Sequence, residues 1–67
     1  MTTKQQELDN DLLLYLQENG PCRYQILEHA FDLGSTRIGA SVNRLMAANK
    51  VRQVPNPEGR RPLVAAI

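Results

Sequence analysis

Cysteine and histidine occur once each in this 67-residue sequence, as Cys22 and His29, and tryptophan is absent. A single cysteine closes no internal disulfide, and one histidine supplies no cluster at metal-ligand spacing. Neither a covalent nor a metal staple is expected, and no cofactor is implied. A thiol without a partner suits the reducing cytoplasm, the expected location. Unbroken apolar runs such as residues 12–16 fall far short of the roughly 20 residues a membrane span needs. No basic-then-apolar leader opens the chain, so the expectation is a mature start at Met1 and no membrane partner. Catalytic constellations are missing too. Glu28 and His29 are adjacent in a helix-prone segment, where neighbours point apart, and Ser35 and Ser41 have no histidine placed to activate them. No glycine-rich phosphate loop occurs, and so short a chain lacks an ordinary substrate pocket, so an enzyme is not expected.

The formal net charge is only +1, but the charges are sorted along the chain. Residues 1–34 carry two cations, Lys4 and Arg23, against six carboxylates, Glu7, Asp9, Asp11, Glu18, Glu28 and Asp32, a net of −4. Residues 35–67 carry six cations, Arg37, Arg44, Lys50, Arg52, Arg60 and Arg61, against Glu58 alone, a net of +5. Such a split gives a small domain one acidic and one basic side, and the basic side is the candidate for phosphate contact.

No repeat, linker or low-complexity tract interrupts the chain, so residues 1–67 read as one domain with a frayed start over residues 1–4. Leu8, Leu12, Tyr15 and Leu16 are spaced as the apolar stripe of a helix over residues 5–18, which Asn19-Gly20-Pro21 ends. At about 100° per residue Leu14 points away from that stripe and Leu13 lies near its edge. A second helix is expected over residues 23–31 with Ile26, Leu27, Ala30 and Phe31 inward, although residues 22–24 also fit a stub of strand. Asp32-Leu33-Gly34 makes a tight connection, and Ser35 is the expected N-cap of a third helix. Ile38, Val42, Leu45 and Met46 form its inner stripe, and Asn49 suits the left-handed residue that closes it. Two β-prone runs follow, residues 51–54 and 63–67, separated by the turn-rich Pro55-Asn56-Pro57-Glu58-Gly59. In the returning strand, alternation groups Leu63, Ala65 and Ile67 on one face, expected to cover the helices, with Val64 and Ala66 on the other. The expected class is α+β, three helices and a C-terminal hairpin.

Two helices joined by a three-residue turn, followed by a hairpin with arginines at its tip, resemble the winged helix-turn-helix family of small bacterial and phage transcriptional regulators. The resemblance covers roughly residues 7–67. It is carried most by Val42-Asn43-Arg44-Leu45-Met46-Ala47-Ala48-Asn49-Lys50-Val51-Arg52, similar to a recognition helix running into the first wing strand, and by Gly59-Arg60-Arg61-Pro62-Leu63, similar to a wing. It implies double-stranded DNA as the partner, with the third helix in the major groove and the wing on phosphate or in the minor groove.

The helix face opposite Ile38 holds Thr36, Ala40, Asn43, Arg44 and Ala47, flanked by Arg37. Arginine can pair with guanine and asparagine with adenine, while the alanines permit close approach. Arg60 and Arg61 are the expected wing contacts; Lys50 and Arg52 are candidates for backbone phosphate or ordinary solvated strand residues, and Ser35 for a cap that also meets phosphate. Gly39, inside the helix, has two readings: close approach of DNA, or close packing of a neighbouring helix. Winged domains that recognise left-handed DNA carry an asparagine and a tyrosine on this helix and an aromatic in the wing. Aligning Ile38, Val42, Leu45 and Val51 with their core puts Gly39 and Asn43 at the first two positions, so the stacking residues are missing. A different class of function stays open, a protein-interaction module without DNA whose working face is Glu7, Asp9, Asp11 and Glu18. Leu14, with Leu13, is a candidate homodimer seam, and an exposed leucine is equally normal on a monomer.

Overall fold

The computed structural model describes residues 3–59 and 61–67. Its elements run α1 (Lys4–Asn19), α2 (Tyr24–Phe31), α3 (Ser35–Ala47), β1 (Val51–Val54) and β2 (Leu63–Ala66). Helix α1 starts inside the stretch expected to fray. The Thr3 hydroxyl accepts the Gln6 backbone N–H at 3.1 Å while the Gln6 side chain accepts the Thr3 N–H at 3.0 Å, a reciprocal capping box. Gly20, at φ 78, ends the helix in a conformation that a side chain disfavours.

Helices α2 and α3 close in the same way, without glycine. Asp32 (φ 52) and Asn49 (φ 59) are both left-handed. Behind them the Leu33 N–H reaches the Glu28 carbonyl at 3.1 Å, and the Lys50 N–H reaches that of Leu45 at 2.9 Å, the six-to-one bond of a Schellman motif. Short polar side chains tolerate this conformation best after glycine, which is why Asp and Asn stand there. At the start of α3 the expectation needs correction. Gly34 is the N-cap and Ser35 the first helical residue, with no side-chain cap bond.

The hairpin pairs β1 with β2 antiparallel in the register Val51 to Ala66 and Gln53 to Val64. Cys22 extends this sheet as a single bridge on the far side of β2, exchanging backbone hydrogen bonds with Val64 at 2.9 and 2.8 Å. The stub of strand considered for residues 22–24 is therefore present at Cys22, and α2 follows from Tyr24. The bridged residues share one face of the sheet, and both are buried on it. Val64 is fully buried and Ala66 packs against the core, whereas Ile67 is 72% exposed. Ala65, expected inside, is buried at 6% exposure, but it is Val64 and Ala66 that join the helical core, so the face meeting the helices is the one expected outside; alternation groups residues by face without saying which face meets the helices.

The core joins Leu12 and Leu16 of α1, Leu27 of α2, Ile38, Val42 and Leu45 of α3, and Cys22, Val51 and Val64. Tyr15 and Phe31 meet edge to face at 5.7 Å, tying α1 to α2. Two residues expected inside α2 are outside: Ile26 is 46% exposed and Ala30 is also exposed. An eight-residue helix packed mainly on α3 buries a narrow stripe, here centred on Leu27. Among the described residues no helix is long and apolar enough to cross a membrane.

Candidate nucleic-acid interface

Helix α3 is held by its inner stripe, and the side chains opposite it are determined by helical geometry. Thr36, Ala40, Asn43 and Ala47 lie on that opposite side, and Thr36, Asn43 and Ala47 are exposed. At about 100° per residue they cover the sector farthest from Ile38. Gly39 stands at the margin of that sector, half-exposed, and a methyl group built there meets nothing within 4 Å. Close packing of a neighbouring helix is therefore not the reason for this glycine.

Arg44 is placed differently from its neighbours. Its Nε donates to one Asp9 carboxylate oxygen at 2.8 Å and its Nη2 to the other at 2.9 Å, a two-pronged ion pair between α3 and α1. The Ser41 hydroxyl donates to the same carboxylate. The Asp9 side chain is 14% exposed and that of Arg44 37%. Burial pushes the Asp9 carboxyl upward, but the hydrogen bonds from Arg44 and Ser41 and the arginine charge outweigh it and hold the group below the usual carboxylate value. Arg44, expected on the outer face as a DNA contact, is engaged with Asp9 within the molecule. Asp9 likewise leaves the set of free carboxylates considered as an acidic face. Ser41, fully buried, is absent from the expected inner stripe. Its signal is in the spacing, three residues after Ile38 and next to Val42.

Two clefts flank the outer face of α3. One, of about 440 Å³, lies between the wing, the start of α2 and the start of α3, and brings Arg23, Ser35, Asn56 and Arg61 together, with Glu28 also in its wall. Glu58 pairs with Arg23 at 3.6 Å. The other, of about 290 Å³, runs between the start of α1 and α3, with Lys4, Arg37 and Arg44 at its rim and Leu8, Leu33 and Ala40 in its wall. Lys4 and Arg23 belong by sequence to the acidic half of the chain; the fold carries both to the flanks of α3. Lys50 and Arg52 are exposed at and beside β1, with Arg52 on the sheet face away from Val64. Arg60 lies outside the described residues. Tyr24 is half-buried and its hydroxyl accepts from the Gln53 side chain at 2.9 Å, so it ties the wing to α2.

Of the two candidate leucines on α1, Leu13 packs against the core and Leu14 is 53% exposed. Cys22 is buried, which pushes its thiol above the ordinary value.

No protein-family model matches the chain, and no curated protein matches its sequence. Solved structures do match its fold, a winged helix-turn-helix found in bacterial regulators and vertebrate Zalpha domains alike. The apo Zalpha domain of zebrafish PKZ superposes with a TM-score of 0.86 at 17% identity, covering 97% of this chain and 98% of that one. The Zalpha domain of Carassius auratus PKZ, solved in complex with Z-DNA, gives 0.84 at 12% identity, over 97% of this chain and all of that one. A probable transcriptional regulator from Pseudomonas aeruginosa gives 0.81 at 28% identity over 88% of this chain, and RV1404 from Mycobacterium tuberculosis 0.82 at 26% over 90%. The chain spans 46% and 42% of the length of those two bacterial proteins.

Proposed function

We propose that this protein binds double-stranded DNA with sequence preference, as a transcriptional regulator of the bacterial or phage kind, with α3 in the major groove and the wing on phosphate or in the minor groove. The observation that carries the reading is the outer face of α3. Thr36, Asn43 and Ala47 are exposed there, with Ala40 among them, between two clefts rimmed by arginine and lysine. A helix of this width enters the major groove, and small or amide-bearing side chains on it meet base edges while flanking cations meet the two strands. Asn43 is the base-reading residue, since an amide pairs with adenine through two hydrogen bonds. Arg37, Arg61 and Ser35 serve the backbone, and Arg60, Lys50 and Arg52 are further phosphate contacts. Arg44 acts through Asp9 and Ser41 by setting how α3 sits on α1. The fold neighbours include a domain complexed with Z-DNA, but Gly39 and Asn43 stand where domains that recognise left-handed DNA carry an asparagine and a stacking tyrosine, which favours right-handed duplex.

Selection from a random duplex pool, followed by titration of the selected site and of mixed-sequence duplex, tests the proposal. Asn43→Ala is expected to weaken the selected site by on the order of 1–3 kcal/mol and mixed duplex little. Arg61→Ala is expected to weaken both alike and to flatten the salt dependence by about 0.9 log unit. A parent protein that binds neither duplex at low salt, or an Asn43→Ala variant with parental affinity for the selected site, would overturn it.

A further inference from the structure

Lys4 is the first residue of α1, where the positive end of the helix dipole disfavours a cation. Among the described residues neither it nor Arg37 has a carboxylate within ion-pair distance; the two ion pairs present use Arg23 and Arg44. Thirty-three positions separate Lys4 from Arg37 in the sequence, yet both rim one cleft with Arg44. Asp9 neutralises Arg44, so the three cations leave a net of +2 at the rim. No carboxylate lines this cleft, in contrast to the one beside the wing, where Glu28 forms part of the wall and Glu58 covers Arg23. The cleft also continues onto the outer face of α3, because Arg37 and Ala40 belong to both.

We propose that Lys4 and Arg37 form a seat for the sugar-phosphate backbone of duplex DNA, on the side of α3 away from the wing, with Lys4 the positioning residue contributed by α1. Half-buried Leu8 and Leu33, with Ala40, place apolar surface on one side of the charges, which strengthens their attraction for phosphate. A strand held here and a strand held by Arg61 bracket the helix that reads bases, so the seat fixes register without reading sequence. The inference rests on the DNA-binding reading above and adds a contact from the half of the chain whose sum of charges is acidic.

The test is a salt series, from about 50 to 200 mM, of anisotropy titrations on mixed-sequence and selected duplex with the parent, Lys4→Gln and Glu18→Gln. Lys4→Gln removes one phosphate contact, so the slope of log affinity against log salt is expected to flatten by about 0.9, with the ratio of selected to mixed affinity unchanged. Glu18→Gln changes the net charge by one unit in the opposite direction at the other end of α1, about 21 Å away at 1.5 Å per residue. That is about twice the 10 Å screening length at 0.1 M salt, and the slope is expected to stay parental. Lys4→Gln also takes a positive charge off the positive end of the helix dipole, so its melting is expected at or slightly above the parental temperature. A parental slope for Lys4→Gln in a parent that binds duplex overturns the seat alone, as does a slope in Glu18→Gln that steepens by as much as that of Lys4→Gln flattens. Binding of polyglutamate but of no duplex by the parent overturns the seat and the DNA reading together.

Discussion

Asp9 is the carboxylate through which α1 holds α3. It joins two elements through Arg44 and Ser41, and Ser41 is fully buried; an asparagine there keeps one acceptor oxygen but loses the charge and the second oxygen. Asp9→Asn is expected to destabilise the fold at neutral pH, by less than a fully buried ion pair would because Arg44 is partly exposed, read by denaturant melting. The pH dependence follows from the lowered carboxyl. Folded Asp9 releases its proton more readily than the unfolded chain, whose value is about 3.9. Its stabilisation is therefore complete above that unfolded value and is lost as pH falls through the lower folded one. The melting temperature of the parent is expected to drop across that acid window, and that of Asp9→Asn to drop less.

At the scale of elements, α3 has an interior glycine that no packing explains. Glycine is disfavoured by about 0.8–1.0 kcal/mol in a helix interior relative to alanine. A methyl group at Gly39 meets nothing within 4 Å. Gly39→Ala is therefore expected to stabilise the fold, raising the melting temperature by roughly 4–8 °C for each kcal/mol in a domain of this size. If the duplex approaches α3 as proposed, the same methyl stands at the edge of the groove-facing sector and weakens the selected site. A gain in stability with a loss of binding is the expected signature, measured by thermal melting and titration on one variant.

The whole molecule is small enough that its core has little reserve. At about 0.05–0.15 kcal/mol per residue the total stability of such a chain is on the order of 3–10 kcal/mol. Leu27 is fully buried in the core shared by the three helices and the sheet, and a leucine-to-alanine change in such a site removes about 2–5 kcal/mol. Leu27→Ala is expected to lower the melting temperature by roughly 10 °C or more, while Ile26→Ala, at an exposed neighbour, stays close to the parent. The charge distribution is also a property of the whole. Lys4 and Arg23 belong to the acidic half by position and to the flanks of α3 by fold.

Local periodicity and turn chemistry determined the elements. The stripe through Ile38, Val42 and Leu45, the left-handed Asn49 and the turn-rich stretch after Val54 each act within a few residues, and so the three helices, the hairpin and the outer face of α3 are legible in the sequence. The capping box at Thr3 and Gln6 is equally local, although it lies where fraying is expected. What the tertiary structure decided depends on contacts between distant residues. The packing of the sheet on the helices set the inner face of β2, the α1–α3 packing brought Asp9 onto Arg44 and Ser41, and the same packing brought Lys4 beside Arg37. Helical and strand periods sort side chains by face within one element, but which faces meet, and which charges become neighbours, is fixed only when the elements pack.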